Sequence, residues 1–196
     1  MEKIRSFIAI KLPTALQDEL AQLQQRWNTP RQSFVKWVDP RSIHLTLKFL
    51  GDIDSLQVAP LKKALAEVTD TIKSFQLVAN SCGVFPNIKR VRVVWVGVGG
   101  DFVILSELQQ AIDKKLASLG FPLEKQSFKP HLTLGRLRHG ATTRQVQNLG
   151  ELVSSTEFTG TEKVKVNTIN LMKSTLTNNG AIYSQLASLP LSGKGC

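Results

Sequence analysis

The sequence predicts an α+β fold built from two similar halves, on three observations. A short strand word, His44-Leu45-Thr46-Leu47, recurs 87 positions later as His131-Leu132-Thr133-Leu134. Helical and extended segments follow one another in a similar order before and after the Gly99-Gly100 pair. No Pro-, Gly- or Ser-rich linker separates the two rounds, so they are expected to pack as lobes of one domain spanning residues 1–196.

Taken in order, residues 5–12 are rich in Ile and Phe and predict a strand closed by Pro13. From Thr14 to Trp27 the apolar residues Leu16, Leu20, Leu23 and Trp27 recur at helical spacing. Residues 34–38 form a short extended stretch ended by Asp39-Pro40. The first motif strand is expected from Ser42 to Leu50, stopped by Gly51-Asp52. Asp54 or Ser55 caps a second helix to about Thr69, with Leu61, Leu65 and Val68 inward. Residues 75–81 and 91–98 read as strands joined by a turn-rich piece around Gly83, Pro86 and Asn87.

Gly99-Gly100-Asp101 is expected to open a third helix whose stripe includes Leu105, Leu108, Ile112, Leu116 and Leu119, with Gly120 ending it. Pro130 precedes the second motif strand, His131 to Leu137. A helix near Thr142 to Val153 follows, opened by Thr142 or Thr143. Residues 163–172 and 181–186 are the last expected strands, with the turn Asn178-Asn179-Gly180 between them.

Side chains alternate along a strand, so Leu45 and Leu47 share one face while His44 and Thr46 share the other. The same holds for Leu132 and Leu134 against His131 and Thr133. A single His-x-Thr face is commonly just the polar side of a half-buried strand. The chain has three histidines, however, and the repeat uses two of them at the same place in the word. That economy points to chemistry. Imidazole titrates near neutrality, so one His can accept a proton while another donates one.

Two such groups across a phosphate suit in-line displacement, with Thr46 and Thr133 on the non-bridging oxygens. Arg136 or Arg92 is the candidate cation for the charge that develops there. His139, in a polar stretch, reads as a solvated loop residue. Trp95, in a Val-rich strand, reads as core, while Phe49 and Tyr183 are divided between core and base stacking. The run Lys89-Arg90-Val91-Arg92 is either a phosphate-binding strand or a solvated edge.

Composition sets bounds on the function. At 42% hydrophobic and 20% charged, the 196 residues are ordinary globular protein. Lys and Arg number 25 against 15 Asp and Glu, a formal charge of +10 that favours a polyanionic partner such as nucleic acid. Cys82 and Cys196 give neither a disulfide framework nor metal-ligand spacing, and Cys196 as last residue cannot be a prenylation-box Cys. No metal or other cofactor is expected, because neither motif histidine has Asp or Glu near it at ligand spacing. No run reaches the length of a membrane span, and the N-terminal apolar stretch is broken by Lys11 and Pro13. A cytoplasmic monomer is the expectation.

Both motifs, with Phe7-Ile8-Ala9-Ile10-Lys11-Leu12-Pro13, Arg92-Val93-Val94-Trp95-Val96-Gly97, Ser174, Gly180 and Tyr183, make the chain resemble the 2H phosphoesterases. Within them it resembles the RNA 2′,3′-cyclic phosphodiesterases, also called 2′-5′ RNA ligases. The resemblance covers nearly the whole chain. It implies two pseudo-symmetric lobes, each an antiparallel sheet with helices packed outside, around a positively charged central cleft. It implies metal-independent hydrolysis of an RNA terminal 2′,3′-cyclic phosphate to a 2′-phosphomonoester. His44 would be the general acid, His131 the general base, and Thr46, Thr133 and Arg136 the phosphate-binding residues. Joining RNA ends through a 2′-5′ linkage would be the reverse reaction. Two other readings compete with it. One is a phosphodiesterase acting on another cyclic phosphate or a 2′-5′ oligonucleotide. The other is a non-enzymatic RNA-binding module, which would not need two proton-transfer groups face to face.

Overall fold

A computed structural model describes residues 3–177 and 180–193. Among these, nine antiparallel strands form one curled sheet, with four α-helices. The strands are β1 (Lys3–Lys11), β2 (Val35–Trp37), β3 (His44–Asp54), β4 (Phe75–Phe85), β5 (Val93–Gly100), β6 (His131–Leu137), β7 (Thr159–Val166), β8 (Thr168–Thr177) and β9 (Gly180–Pro190). The helices are α1 (Thr14–Trp27), α2 (Val58–Thr69), α3 (Phe102–Ala117) and α4 (Thr143–Ser154).

The sheet order β7-β4-β5-β6-β3-β1-β8-β9 divides at its centre into two four-strand halves. Each half places its motif strand innermost: β3 leads out to β1, β8 and β9, and β6 leads out to β5, β4 and β7. The first half therefore draws on both ends of the described chain and the second on its middle. The expected pair of antiparallel sheet lobes is present, joined into one sheet. Its seam is a single residue pair, Leu45 with Leu132. Beyond that pair β3 and β6 diverge, and β2 fills the wedge by pairing Val35, Lys36 and Trp37 with Leu137, Arg136 and Gly135. Gln24 of α1 closes the same corner, its Nε2 donating to the carbonyls of Val38 (2.8 Å) and Leu134 (2.9 Å).

Helices and strands meet in one large apolar core that contains Leu16, Leu20, Leu23, Leu45, Leu61, Leu65, Leu105, Leu108, Ile112, Leu132 and Leu149, all almost wholly buried. Full burial of a Leu is worth about 1.5–3 kcal/mol, so this face of the sheet dominates stability. A second, small cluster of Phe7, Ala9 and Met172, with Tyr183 against it, lies apart from that core. β1 is consequently buried on both faces over Ser6–Ile10.

Several boundaries differ from expectation for identifiable reasons. Gly51 does not stop β3. At φ +72° it sits beside a bulge where Ser6 pairs Gly51 and Phe7 pairs Phe49, and the strand continues to Asp54. Gly83 belongs to β4, because the Trp95 ring lies where its Cβ would be. Gly99 and Gly100 end β5 and do not open α3, since they pair with Val78 and Leu77. The stretch 163–172 holds parts of two strands, β7 and β8, divided at Asn167 with no Gly or Pro to mark the break. Lys89 and Arg90 lie in the turn before β5, so their run is not a strand.

Gly120 does end α3. The Phe121 N–H reaches the Leu116 carbonyl and the Gly120 N–H the Ala117 carbonyl, with Gly120 at φ +87°. Thr142 caps α4 in a capping box with Gln145. Asn178 and Asn179 of the expected turn, and Cys196, lie outside the described residues.

Candidate functional site

The single Leu45–Leu132 pair fixes how the two motifs face each other. Both leucines enter the core, so the residues flanking them project from the opposite face. Because β3 and β6 are antiparallel, His44 lies toward Thr133 and His131 toward Thr46. The two histidines then sit on a diagonal across the seam. All four line one cleft of about 550 Å³, together with Arg5, Ser6, Phe7, Phe49, Arg136, Ser174 and Tyr183. No Asp or Glu is among its described lining residues.

Each imidazole is held in the same way. His44 Nδ1 lies 2.8 Å from the Ser42 carbonyl and His131 Nδ1 2.7 Å from the Lys129 carbonyl. A carbonyl only accepts, so both Nδ1 atoms carry the hydrogen and both Nε2 atoms are left for the cleft. Phe7 stacks on His44 with centroids 4.7 Å apart, and Tyr183 meets it edge-on at 5.0 Å. Phe85 meets His131 edge-on at 5.0 Å, with Trp95 behind it. Burial lowers the pKa of both histidines below the ordinary 6.5; the carbonyl bonds oppose this and the Arg136 charge adds to it. One guanidinium thus acts on both imidazoles.

Strict alternation would turn residue 136 toward the core. A bulge prevents this: Val94 pairs Gly135 while Trp95 pairs Thr133, leaving Leu134 as an extra residue. The face is thereby switched and Arg136 joins the cleft. The first half has the same device at the same place. Ile8 pairs Lys48 and Ala9 pairs Thr46, with Leu47 extra. Phe49 is turned outward by it (66% exposed) and Lys48 inward (3% exposed). The Lys48 ammonium meets the Asp113 carboxylate and donates to the Pro122 carbonyl at 2.8 Å. Asp113 in turn accepts the Glu124 N–H, which ties Lys48 to the segment leading into His131.

The cleft therefore gathers His44, His131, Thr46, Thr133 and Arg136, all five residues singled out in the sequence. Among the described residues the Thr46 and Thr133 hydroxyls have no protein partner. Arg92 is not among the residues lining the cleft. His139 is an exposed turn residue, as expected. Trp95 is not part of the main core: alternation buries Val94 and Val96 in it and leaves Trp95 partly buried on the face of Thr133, over Gly83. Lys48 escaped sequence reasoning because its burial depends on the bulge. Burial pushes the Cys82 thiol up to about 11, away from thiolate character. Among the described residues no three His, Cys, Asp or Glu converge to hold a metal, and no helix is long and apolar enough to cross a membrane.

Comparison with known proteins matches residues 10–95 and 104–183 to the family model described as LigT like Phosphoesterase. A Methanothermobacter thermautotrophicus protein named RNA 2′,3′-cyclic phosphodiesterase is 30% identical over 184 residues, covering 94% of this chain and 97% of its own. One of the same name from Aeropyrum pernix is 34% identical over 161 residues, 82% of this chain and 89% of its own. The crystal structure of E. coli LigT complexed with 3′-AMP superposes with a TM-score of 0.77 at 23% identity, over 97% of this chain and 99% of that one. That structural likeness concerns the fold.

Proposed function

The chain belongs to the LigT-like phosphoesterase family, the 2H phosphoesterases, and from that premise we propose that it hydrolyses RNA terminal 2′,3′-cyclic phosphates by proton transfer between His44 and His131. The observation that carries this reading is the matched pair of imidazoles. Both are Nδ1-tethered, both present Nε2, and both face one cleft with Arg136 beside them and no Asp or Glu among its described lining residues.

His131 Nε2 takes a proton from water as the water oxygen attacks phosphorus. His44, protonated at Nε2, gives its proton to the departing 3′ oxygen. The bond from phosphorus to the 3′ oxygen breaks, and the 2′ oxygen keeps the phosphate. Donors from Thr46, Thr133 and Arg136 take the charge growing on the non-bridging oxygens. The assignment of acid and base follows the family resemblance. With the 5′-hydroxyl of a second RNA end attacking phosphorus in place of water, the same break of the bond to the 3′ oxygen would leave a 2′-5′ linkage, with the same two imidazoles moving the protons. On this reading the chain acts as a cytoplasmic monomer on RNA ends.

The test is an assay in EDTA on an oligoribonucleotide ending in a 2′,3′-cyclic phosphate, with the product phosphate located at 2′ or 3′. Conversion to a 2′-phosphate by the wild type, and none by the His44→Ala, His131→Ala double variant, is the expected result. Conversion that survives the double replacement would remove both histidines from the mechanism. RNA binding without conversion of this or any related cyclic or 2′-5′ linked substrate would leave a binding module.

A further inference from the structure

Lys36 of β2 and Arg136 of β6 are direct cross-strand partners. Partners in an antiparallel pair project on the same face with Cβ atoms about 4.5–5.5 Å apart, and like charges so placed repel. Among the described residues neither side chain has a carboxylate to pair with. Lys36 lines a second cleft of about 560 Å³ that shares Val38, Ser42, Arg136, Ala181 and Tyr183 with the first. The two are contiguous. The acid lining the second cleft is Asp39, whose Oδ1 is occupied by the Arg41 N–H at 2.9 Å.

The arrangement follows from the seam. Where β3 and β6 part, β2 enters the wedge and brings Lys36 one strand over from Arg136. With Arg136 on the reacting phosphate, Lys36 stands in the adjoining cleft, which neither histidine lines. A ribonucleotide chain repeats its negative charge at every nucleotide, the next phosphate being one nucleoside away from the reacting one. Two adjacent cations without a protein partner suit two successive phosphates. The strand's electrostatic attraction comes from such contacts.

We propose that Lys36 binds the phosphate joining the terminal nucleotide to its predecessor, so that an oligoribonucleotide end is preferred over a free cyclic mononucleotide. This rests on the phosphodiesterase reading above and adds to it a residue that reads the strand behind the terminal nucleotide.

The experiment compares kcat/KM for a 2′,3′-cyclic mononucleotide and for an oligoribonucleotide ending in the same cyclic nucleotide, in wild type, Lys36→Ala and Lys36→Glu. Wild type is expected to prefer the oligonucleotide. Lys36→Ala should shrink that preference about tenfold, through KM, and flatten the salt dependence by about one unit of log–log slope. Lys36→Glu should shrink it further. A preference untouched by either variant, or a loss of equal size on both substrates, would overturn the inference while leaving the hydrolytic reading intact. Hydrolysis of neither substrate by the wild type would instead overturn the phosphodiesterase reading, and this inference with it.

Discussion

Phe49 and Arg136 occupy equivalent places in the two halves, each three residues beyond its motif threonine and each turned into the cleft by a bulge one residue after that threonine. The same device serves an aromatic ring in one half and a cation in the other. The halves are thus alike in backbone and different in chemistry. That difference makes the cleft directional, although the tethers of the two histidines are the same.

Arg136→Ala is expected to lower kcat/KM on a cyclic phosphate roughly a hundredfold, the scale of one lost transition-state donor. Arg136→Lys should recover part of it, because an ammonium keeps the charge and loses the two-pronged geometry. Steady-state kinetics on the three proteins decide this, and unchanged kinetics in Arg136→Ala would end its phosphate role.

The pH profile carries its own prediction. Catalysis needs one imidazole neutral and one protonated, so kcat/KM follows a bell centred between the two apparent pKa values of the pair. Both values are lowered from 6.5, foremost by burial. The optimum of kcat/KM is therefore expected on the acid side of 6.5. Arg136 lowers both pKa values, so Arg136→Ala should move the optimum upward. A wild-type optimum well above 6.5 would contradict the buried environment of the pair.

The same shifts bear on stability. An imidazole whose folded pKa lies below its unfolded value makes the unfolded chain bind more protons between the two. Stability from these groups is present above the unfolded value of 6.5 and is lost as pH falls from there through the folded pKa. Melting temperatures from pH 7.5 down to pH 5 should therefore fall less steeply in a His44→Asn, His131→Asn variant than in wild type. Equal slopes would mean that other groups account for the acid sensitivity.

Lys48 and Asp113 form a buried pair, with side chains 2% and 13% exposed. Asp113→Ala leaves the buried ammonium with only the half-exposed Glu124 carboxylate at 3.8 Å and is expected to cost about 3 kcal/mol in urea unfolding. Lys48→Met with Asp113→Leu should cost much less, since both charges leave together. The Asp113→Ala variant should also lose turnover, because the Glu124 N–H loses its acceptor ahead of His131. A loss below about 1 kcal/mol, the scale of an exposed pair, would show the site to be wet.

What the sequence revealed of all this depends on the kind of signal involved. The inward leucines and outward histidines of β3 and β6 were legible because a strand has a period of two, and α1 and α4 because their stripes and Thr142 mark them. The bulges left no mark, since Leu47 and Leu134 look like any strand leucine. With them went the burial of Lys48 and the physical reason why Arg136 shares a face with His131. Trp95 was misread for a related reason. A Val-rich run suggests burial on both faces, whereas only the face of Val94 and Val96 enters the main core. The seam was invisible as well, because a sequence that repeats a strand does not say how many residues of the two copies pair.

Among the described residues β7 and β9 stand at the two ends of the sheet order and form its rims. An unpaired rim is a template on which a second molecule can add a strand. In β7 the exposed lysines Lys163 and Lys165 alternate with inward Val164 and Val166. The register breaks between Lys163 and Thr159, and the Thr161 N–H is taken up by the Glu19 carboxylate at 3.0 Å. β9 ends on Pro190, which has no N–H to offer. Hydrophobic Ile182, 61% exposed, sits on that second rim without such a guard. Aggregation under stress should accordingly begin at β9, and a lysine at position 182 should make the protein more soluble.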